Sequence, residues 1–417
     1  MPNENRTLNF IDLFAGAGGL SEGFMHAGYF PIAHVEMNPE ACLTLKTRAC
    51  YYHLKKTGQL SLYQDYLGGR ITRTQLYSNV PESLLSSVIN QKMSGDSMWA
   101  LFTQIDDIMQ EQHIKTVDIV VGGPPCQAYS IIGRSRKQGG MAGDPRNYLY
   151  RLYCRVLKKY QPRMFVFENV PGLLTAEQGK HFTNMKKAFR QVGYVIEHRI
   201  LSAQDFGVLQ NRQRVILIGW KKGTDFSYPD FNPVKHDYTV DALFRDLPRL
   251  EPGQTCNTYA TTPPSKYLED FQIRSDVDTL TWNTSRITCD QDREIYRLVI
   301  AAWNDKQRRM QYPELPEHLK THKNTTAFTD RFKVVARDLP CTHTMVAHIA
   351  KDGHYFIHPD IGQARSITVR EAARIQSFPD NFFFEGSRTS AFTQIGNAVP
   401  PVMARGIASR LKQELEK

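Results

Sequence analysis

The chain has 417 residues, of which 41% are hydrophobic, 23% charged and 11% aromatic. That balance supports a large buried core and excludes a disordered, collagen-like or coiled-coil chain as the dominant state, while length alone implies about two to three domains. Lys plus Arg number 52 against 42 Asp plus Glu, a net +10 that points to a polyanionic partner.

From the N-terminus, the apolar run 8–14 enters AGAGGL and then SEGFMHAG, which predicts a strand, a glycine turn and a helix. A second unit follows, with a short strand from Pro31 to Val35 ending at Glu36 and a helix that Asn38 caps with Pro39 at its first position. Residues 51–115 are polar and mostly helical in pattern. Strand signals return at 117–123, 164–170, 194–201 and 214–220, separated by helical stretches such as YLYRLYCRVLKKY. Their β-branched and aromatic content predicts an α/β fold with a mostly parallel, buried sheet. Past Trp220 the pattern breaks at six prolines between 229 and 264, with no helical period before about Arg293. The α/β character resumes near Ser366, where ITVREAARIQSF predicts a capped amphipathic helix. The expected organisation is therefore 1–220 plus 361–417 as one domain, with 221–360 inserted as a second.

Seven cysteines are widely spread and never form Cys-x-x-Cys, so neither a disulfide framework nor a zinc knuckle is expected. Nor is a metal site: His343, His348, His354 and His358 lack accompanying Cys or clustered carboxylates. No run approaches the roughly 18 apolar residues of a membrane span, and a cytoplasmic protein is expected.

Three places carry chemistry. In Phe14-Ala15-Gly16-Ala17-Gly18-Gly19, the missing side chains let backbone amides approach a ligand at a helix N-terminus. Glu36, twenty residues beyond Gly16, falls where a carboxylate can accept both hydroxyls of a ribose. The spacing departs from Gly-x-Gly-x-x-Gly and favours a methionine-bearing adenosine over a pyrophosphate; a turn that only packs helix on sheet is the plain alternative. In GGPPCQAYS, Cys126 follows a parallel strand on a proline-stiffened turn. Glu168 ends the next strand, so a thiol and a carboxyl that can hold or donate a proton share one crevice. In QNRQRVILIG, Gln210, Arg212 and Arg214 alternate and are expected on one face, where guanidiniums make salt bridges or hold a developing oxyanion.

In this order, FIDLFAGAGGL, GGPPCQAYS, ENVPGLL, QNRQRVILIG, RSITVREAARIQSFPD and QIGNAVP closely resemble the C5-cytosine DNA methyltransferases, over roughly residues 8–220 and 341–412. The resemblance implies an S-adenosylmethionine-dependent, Rossmann-like fold in which 221–360 is the target recognition domain. It implies Cys126 as the nucleophile at C6 of a flipped-out cytosine, Glu168 at N3, and Arg214 with Arg212 at the base and active-site loop. For S-adenosylmethionine, whose product is S-adenosylhomocysteine, it implies Phe14, Ala15, Gly16, Gly18, Gly19, Glu36, Leu149, Asn397 and Ala398. Met37 stands where many members carry an aromatic residue. The acidic contact to the adenine is Asp96, with Asp106 as rival. Gln127, Ser130, Arg134 and Arg136 are the implied contacts to double-stranded DNA. The layout resembles a stand-alone bacterial enzyme of restriction–modification type, nucleoid-associated and functionally paired with a restriction endonuclease. A tRNA cytosine-C5 methyltransferase is the alternative.

The charge divides unevenly: residues 1–220 carry +8, 221–360 carry −1 and 361–417 carry +3. The excess belongs to the catalytic part, and a near-neutral insert suits base reading more than phosphate attraction.

Overall fold

The structure is a computed structural model that describes residues 7–125, 148–321, 326 and 329–417. Its first half runs β1 (Asn9–Leu13), α1 (Gly19–His26), β2 (Phe30–Glu36), α2 (Pro39–Lys56), α3 (Leu60–Leu67), α4 (Arg73–Tyr77), α5 (Glu82–Ser86), β3 (Val88–Asn90), α6 (Met98–Glu111), β4 (Ile119–Gly122), α7 (Leu149–Tyr160), β5 (Met164–Asn169), α8 (Lys180–Gln191), β6 (Tyr194–Ser202) and β7 (Gln213–Lys221). Among the described residues these strands form one seven-stranded sheet in the order β3-β2-β1-β4-β5-β7-β6. The first five are parallel, whereas β7 runs antiparallel to both β5 and β6. The fold is thus the expected α/β type.

Side chains alternate across the sheet with the strand period of two. Ile119, Val121, Met164 and Val166 face α1 and the C-terminal helix, joining Leu20, Phe24, Met403 and Ile407. Val120, Phe165 and Phe167 face the other way, onto Leu101 and Ile105 of α6, Tyr153 of α7 and Phe189 of α8. Because both faces are covered, the strands read as nearly continuous apolar runs. Asn38 caps α2 as expected, its side chain accepting from Ala41 N at 2.9 Å with Pro39 at the first helical position. Strand β3 was not expected; three residues inside a polar helical stretch give too short a signal.

The remainder holds α9 (Lys266–Asp270), α10 (Asp290–Lys306), α11 (Val369–Ile375), α12 (Arg388–Asn397) and α13 (Pro401–Leu415). Apart from α9 and α10, the described residues between Lys221 and Val369 are mainly turns and isolated bridges. Val240, Leu243, Tyr267, Ile273, Val335, Met345 and Phe356 from this segment share a core with α11 and α12.

Helix α11 differs from the amphipathic expectation. The capping box of Thr368 and Glu371 is present, but all seven helical residues are buried. Its charged side chains are interior because each is matched. Arg374 binds Asp246 and Asp380, Arg370 binds Thr281 and two backbone carbonyls, and Glu371 binds Arg365. A period-3.6 reading cannot distinguish such a helix from one with a wet polar face.

Candidate active site

In this sheet β1 is flanked by β2 on one side and β4 on the other, so the connections leave in opposite directions and open a crevice at the strand carboxyl ends. The glycine turn after β1 and the Gly-Gly-Pro-Pro turn after β4 both lie there.

The glycine turn is held from two sides. Phe14 and Gly16 have φ of +57° and +55°, and Ala15 N donates to Val35 O at 3.1 Å. Glu36 accepts from Gly16 N through Oε2 and from Asn38 N through Oε1, both at 2.8 Å, so its carboxylate is fixed at the crevice rim. Met37, 59% exposed, follows it. A Cβ on Gly16 would meet nothing within 4 Å, leaving the upper surface of the turn open. Gly19 is the reverse: a Cβ there would clash with Val399 O and stand 3.1 Å from Ala398 Cβ. The Gly-Asn-Ala-Val segment at the end of α12 therefore seats directly on the turn, and Gln376 secures it by donating to Ile395 O at 2.7 Å and Ala398 O at 3.0 Å. Ala398 is buried and Asn397 exposed. Beneath the turn, Asp12 accepts from Ser21 Oγ, and burial pushes its carboxyl up to about 7.

The second half of the site is built on β4, β5 and β7. Arg214 Nε lies 2.7 Å from Glu168 Oε1, and each side chain is 13% exposed. Gly123 is packed so closely on Glu168 that a Cβ would overlap Oε2, and Asn169 Nδ2 donates to Pro124 O at 3.2 Å in a buried contact. The turn that leads to Cys126 is thus attached to the strand that carries Glu168. Cys126 itself, with Gln127, Ser130, Arg134 and Arg136, lies outside the described residues.

Gln210, Arg212 and Arg214 do not share a face, since β7 begins only at Gln213. The Arg212 guanidinium is buried and donates to Met345 O at 2.7 Å, Ala398 O at 2.8 Å and Gly396 O at 3.2 Å. Gln210 donates to Ile375 O at 3.1 Å and accepts from Met345 N at 2.9 Å. Both residues bind chain segments together, which leaves Arg214 as the arginine beside Glu168.

Asp96 is exposed in the turn between β3 and α6, on the crevice side of the sheet. Asp106 sits within α6, bonded to Tyr160 at 3.1 Å and Lys159 at 2.8 Å. Leu149, half-buried, opens α7, and Arg155 on that helix donates to Gly95 O at 3.2 Å, fixing the Asp96 turn beside it. Among the described residues no three His, Cys, Asp or Glu side chains gather as metal donors. Asn169 and Gln376 were not anticipated as supports of the site. Each stands within a motif, Asn169 in ENVPGLL and Gln376 in RSITVREAARIQSFPD, but the sequence gives no sign of its long-range partner.

A mostly parallel α/β sheet with a glycine turn and a fixed carboxylate after adjoining strands β1 and β2, and a Glu–Arg pair on β5 and β7, defines a Rossmann-like fold with its polar groups gathered at the strand-end crevice. Residues 8–63 and 98–413 match the family model described as C-5 cytosine-specific DNA methylase. The chain belongs to this family and is a DNA (cytosine-5-)-methyltransferase. The unmatched residues 64–97 cover α4, α5 and β3. It is 43% identical to the type II methyltransferase M.Bpa9945I of Bacillus paralicheniformis, over 96% of this chain and 98% of that protein. It is 31% identical to the type II methyltransferase M.XorII of Xanthomonas oryzae pv. oryzae, over 98% and 85%. A prophage-encoded Escherichia coli protein described as a DNA modification methyltransferase shares the fold, with a TM-score of 0.64 at 23% identity over 99% of this chain and 100% of that one. The match to a DNA methylase model and the type II methyltransferase relatives favour DNA over the tRNA alternative. Among the described residues no helix is long and apolar enough to cross a membrane.

Proposed function

We propose that the enzyme methylates cytosine in a specific duplex sequence through a covalent Cys126 adduct, using S-adenosylmethionine. The observation that carries this reading is the Glu168–Arg214 pair packed against Gly123, three residues before Cys126. The Cys126 thiolate adds to C6 of the flipped-out base, which splits one hard step into easier ones. Arg214 occupies Glu168 Oε1, leaving Oε2, on the side of the Gly-Gly-Pro-Pro turn, to hold the proton at N3 and turn C5 into a carbon nucleophile. Loss of the C5 proton and departure of the thiolate restore the ring.

The described residues fit the cofactor. Gly16 presents an open backbone surface, Glu36 is fixed for a ribose, Met37 offers a soft face for the adenine, and Asp96 stands at the crevice side for its amino group. Phe14, Ala15, Gly18, Gly19, Leu149, Asn397 and Ala398 complete the enclosure. When bound, S-adenosylmethionine supplies an electrophilic methyl group. Asp106, engaged by Tyr160 and Lys159, is not the adenine contact. Arg212 acts by seating the 396–398 segment.

Residues 221–360 are the recognition domain, and Gln127, Ser130, Arg134 and Arg136 contact DNA. The likeness to type II methyltransferases supports a cytoplasmic, nucleoid-associated role in restriction–modification beside a functionally paired endonuclease. Bisulfite sequencing of DNA from expressing cells tests the reading and gives the target. Cys126→Ala should abolish the methylation, and 5-fluorocytosine in the mapped target should trap wild-type protein covalently. Continued methyl transfer by Cys126→Ala would overturn the mechanism.

A further inference from the structure

The positive charge of the catalytic part is concentrated on two neighbouring helices. Helix α7 carries Arg151, Arg155, Lys158 and Lys159, and α8 carries Lys180, Lys186, Lys187 and Arg190; neither 12-residue helix contains an acidic residue. Their eight cations equal the whole +8 of residues 1–220, the rest of which balances to zero. The helices pack side by side on one face of the sheet, Tyr153 of α7 meeting Phe189 of α8 with ring centroids 6.0 Å apart. Only Lys159 of the eight makes an ion pair among the described residues, with Asp106 at 2.8 Å. Lys158, Lys180, Lys187 and Arg190 are exposed. On α8, Thr183, Lys186, Lys187, Arg190 and Gln191, spaced as one helical face, line an open depression that contains no carboxylate.

A solvated helix face ordinarily mixes signs, because like charges within a Debye length of about 10 Å repel. A face of one sign over two adjacent helices is instead suited to an extended anion. The substrate class supplies one, since duplex DNA carries a charge every ~1.7 Å along its axis. The face lies on the flank of the sheet and runs along α8 from Lys180, after the β5 turn, to Arg190 at the other end of the helix.

We propose that the outer face of α7 and α8 is a second DNA-binding surface, which holds the phosphate backbone of duplex outside the target site without reading its sequence. It increases retention on long DNA and takes no part in chemistry at the cytosine.

The test is the full-length quadruple variant Lys158→Gln/Lys180→Gln/Lys187→Gln/Arg190→Gln. On a long duplex lacking the target, the slope of log K against log salt should become shallower by roughly 0.9 for each phosphate that the variant no longer neutralises. On a short duplex that only spans the mapped target, kcat should match wild type. A control variant, Lys55→Gln/Lys56→Gln/Arg70→Gln, removes three exposed cations elsewhere and should leave the long-duplex slope unchanged. Lys158→Arg/Lys180→Arg/Lys187→Arg should retain it as well. An unchanged slope in the quadruple variant would overturn the proposal and leave a merely solvated face. An equal change in the control would overturn it in favour of a net-charge effect. If the quadruple variant is unstable, Lys187→Gln/Arg190→Gln, both exposed and on one helix, carries the same comparison.

Discussion

Arg214 on β7 and Glu168 on β5 meet diagonally across an antiparallel strand pair, Nε to Oε1 at 2.7 Å, with Glu168 itself opposite Ile216. The pair fixes the carboxyl that faces the turn leading to Cys126. Arg214→Ala should therefore lower the single-turnover rate of methyl transfer by roughly 10²- to 10³-fold, the usual loss when one preorganised polar group is removed from an active site. Arg214→Lys, which keeps the charge but not the forked geometry, should fall between. Arg212→Ala should behave differently. Met345 O and Gly396 O lose the Arg212 donor and Ala398 O keeps only that from Gln376, so unfolding free energy should drop by about 3 kcal/mol. Equal rates in Arg214→Ala and wild type would remove Arg214 from the mechanism.

Two glycines of the same turn should respond differently to alanine. At Gly19 a Cβ collides with Val399 O, so Gly19→Ala should destabilise the fold by about 1–3 kcal/mol through overpacking and separate the 396–398 segment from the turn. At Gly16 there is open space, and the φ of +55° costs an alanine only about 1–2 kcal/mol. Gly16→Ala should fold, yet bind S-adenosylhomocysteine at least tenfold more weakly, because its methyl enters the surface assigned to the cofactor. Thermal unfolding together with calorimetric titration separates the two effects. Undiminished affinity in Gly16→Ala would place the cofactor elsewhere.

The sheet and the glycine turn were legible because their signals are local: period-two apolar runs, a glycine cluster at a strand end and Asn38 before Pro39. Glu36 was legible from its distance to Gly16 along a βαβ unit. Arg212 was not. Its alternation with Arg214 suggested a shared strand face, but the chain enters β7 one residue later and Arg212 turns onto carbonyls more than 130 residues away. The buried α11 was also misread, since its polar residues are satisfied by Asp246, Thr281 and Asp380. Pairings of this kind depend on how distant segments fold together, which no local pattern records.

Asp12 gives a pH signature. Burial, with a smaller push from Glu36, raises its carboxyl from 3.8 to about 7, although the bond from Ser21 opposes the shift. Between those values the folded chain retains a proton that the unfolded chain has released. The stabilisation is complete below about pH 4 and disappears as pH rises through 7. Buried His34 has the opposite sign. Held down to about 4 by desolvation, it resists a proton that the unfolded chain accepts below 6.5, so its contribution rises with pH. The difference in unfolding free energy between wild type and Asp12→Asn isolates the first effect. It should decline across pH 4–7 and level off above. A flat difference would show that Asp12 is ionised throughout.

The junction between α11 and residues 221–360 rests on Arg374. It binds Asp246 at 2.6 and 3.1 Å, Asp380 at 2.6 and 3.0 Å, and Leu243 O at 2.8 Å, with both carboxylates buried. Asp380 is held below its ordinary range by Arg374 and Arg370 despite burial, and Tyr259 donates to it at 2.8 Å. Arg374→Met fits the volume but leaves the two carboxylates with only the longer contacts of Arg274, at 3.5 and 3.9 Å, and of Arg370, at 3.6 Å, so the loss should be about 3–5 kcal/mol. Arg374→Met/Asp246→Asn removes one cation and one carboxylate together, leaves Asp380 to Arg370 and Arg274, and should recover part of that loss, because the penalty lies in the unpaired ions. Urea unfolding of the two variants decides this. A single variant as stable as wild type would mean that apolar packing in the shared core, and not the ion cluster, holds the junction.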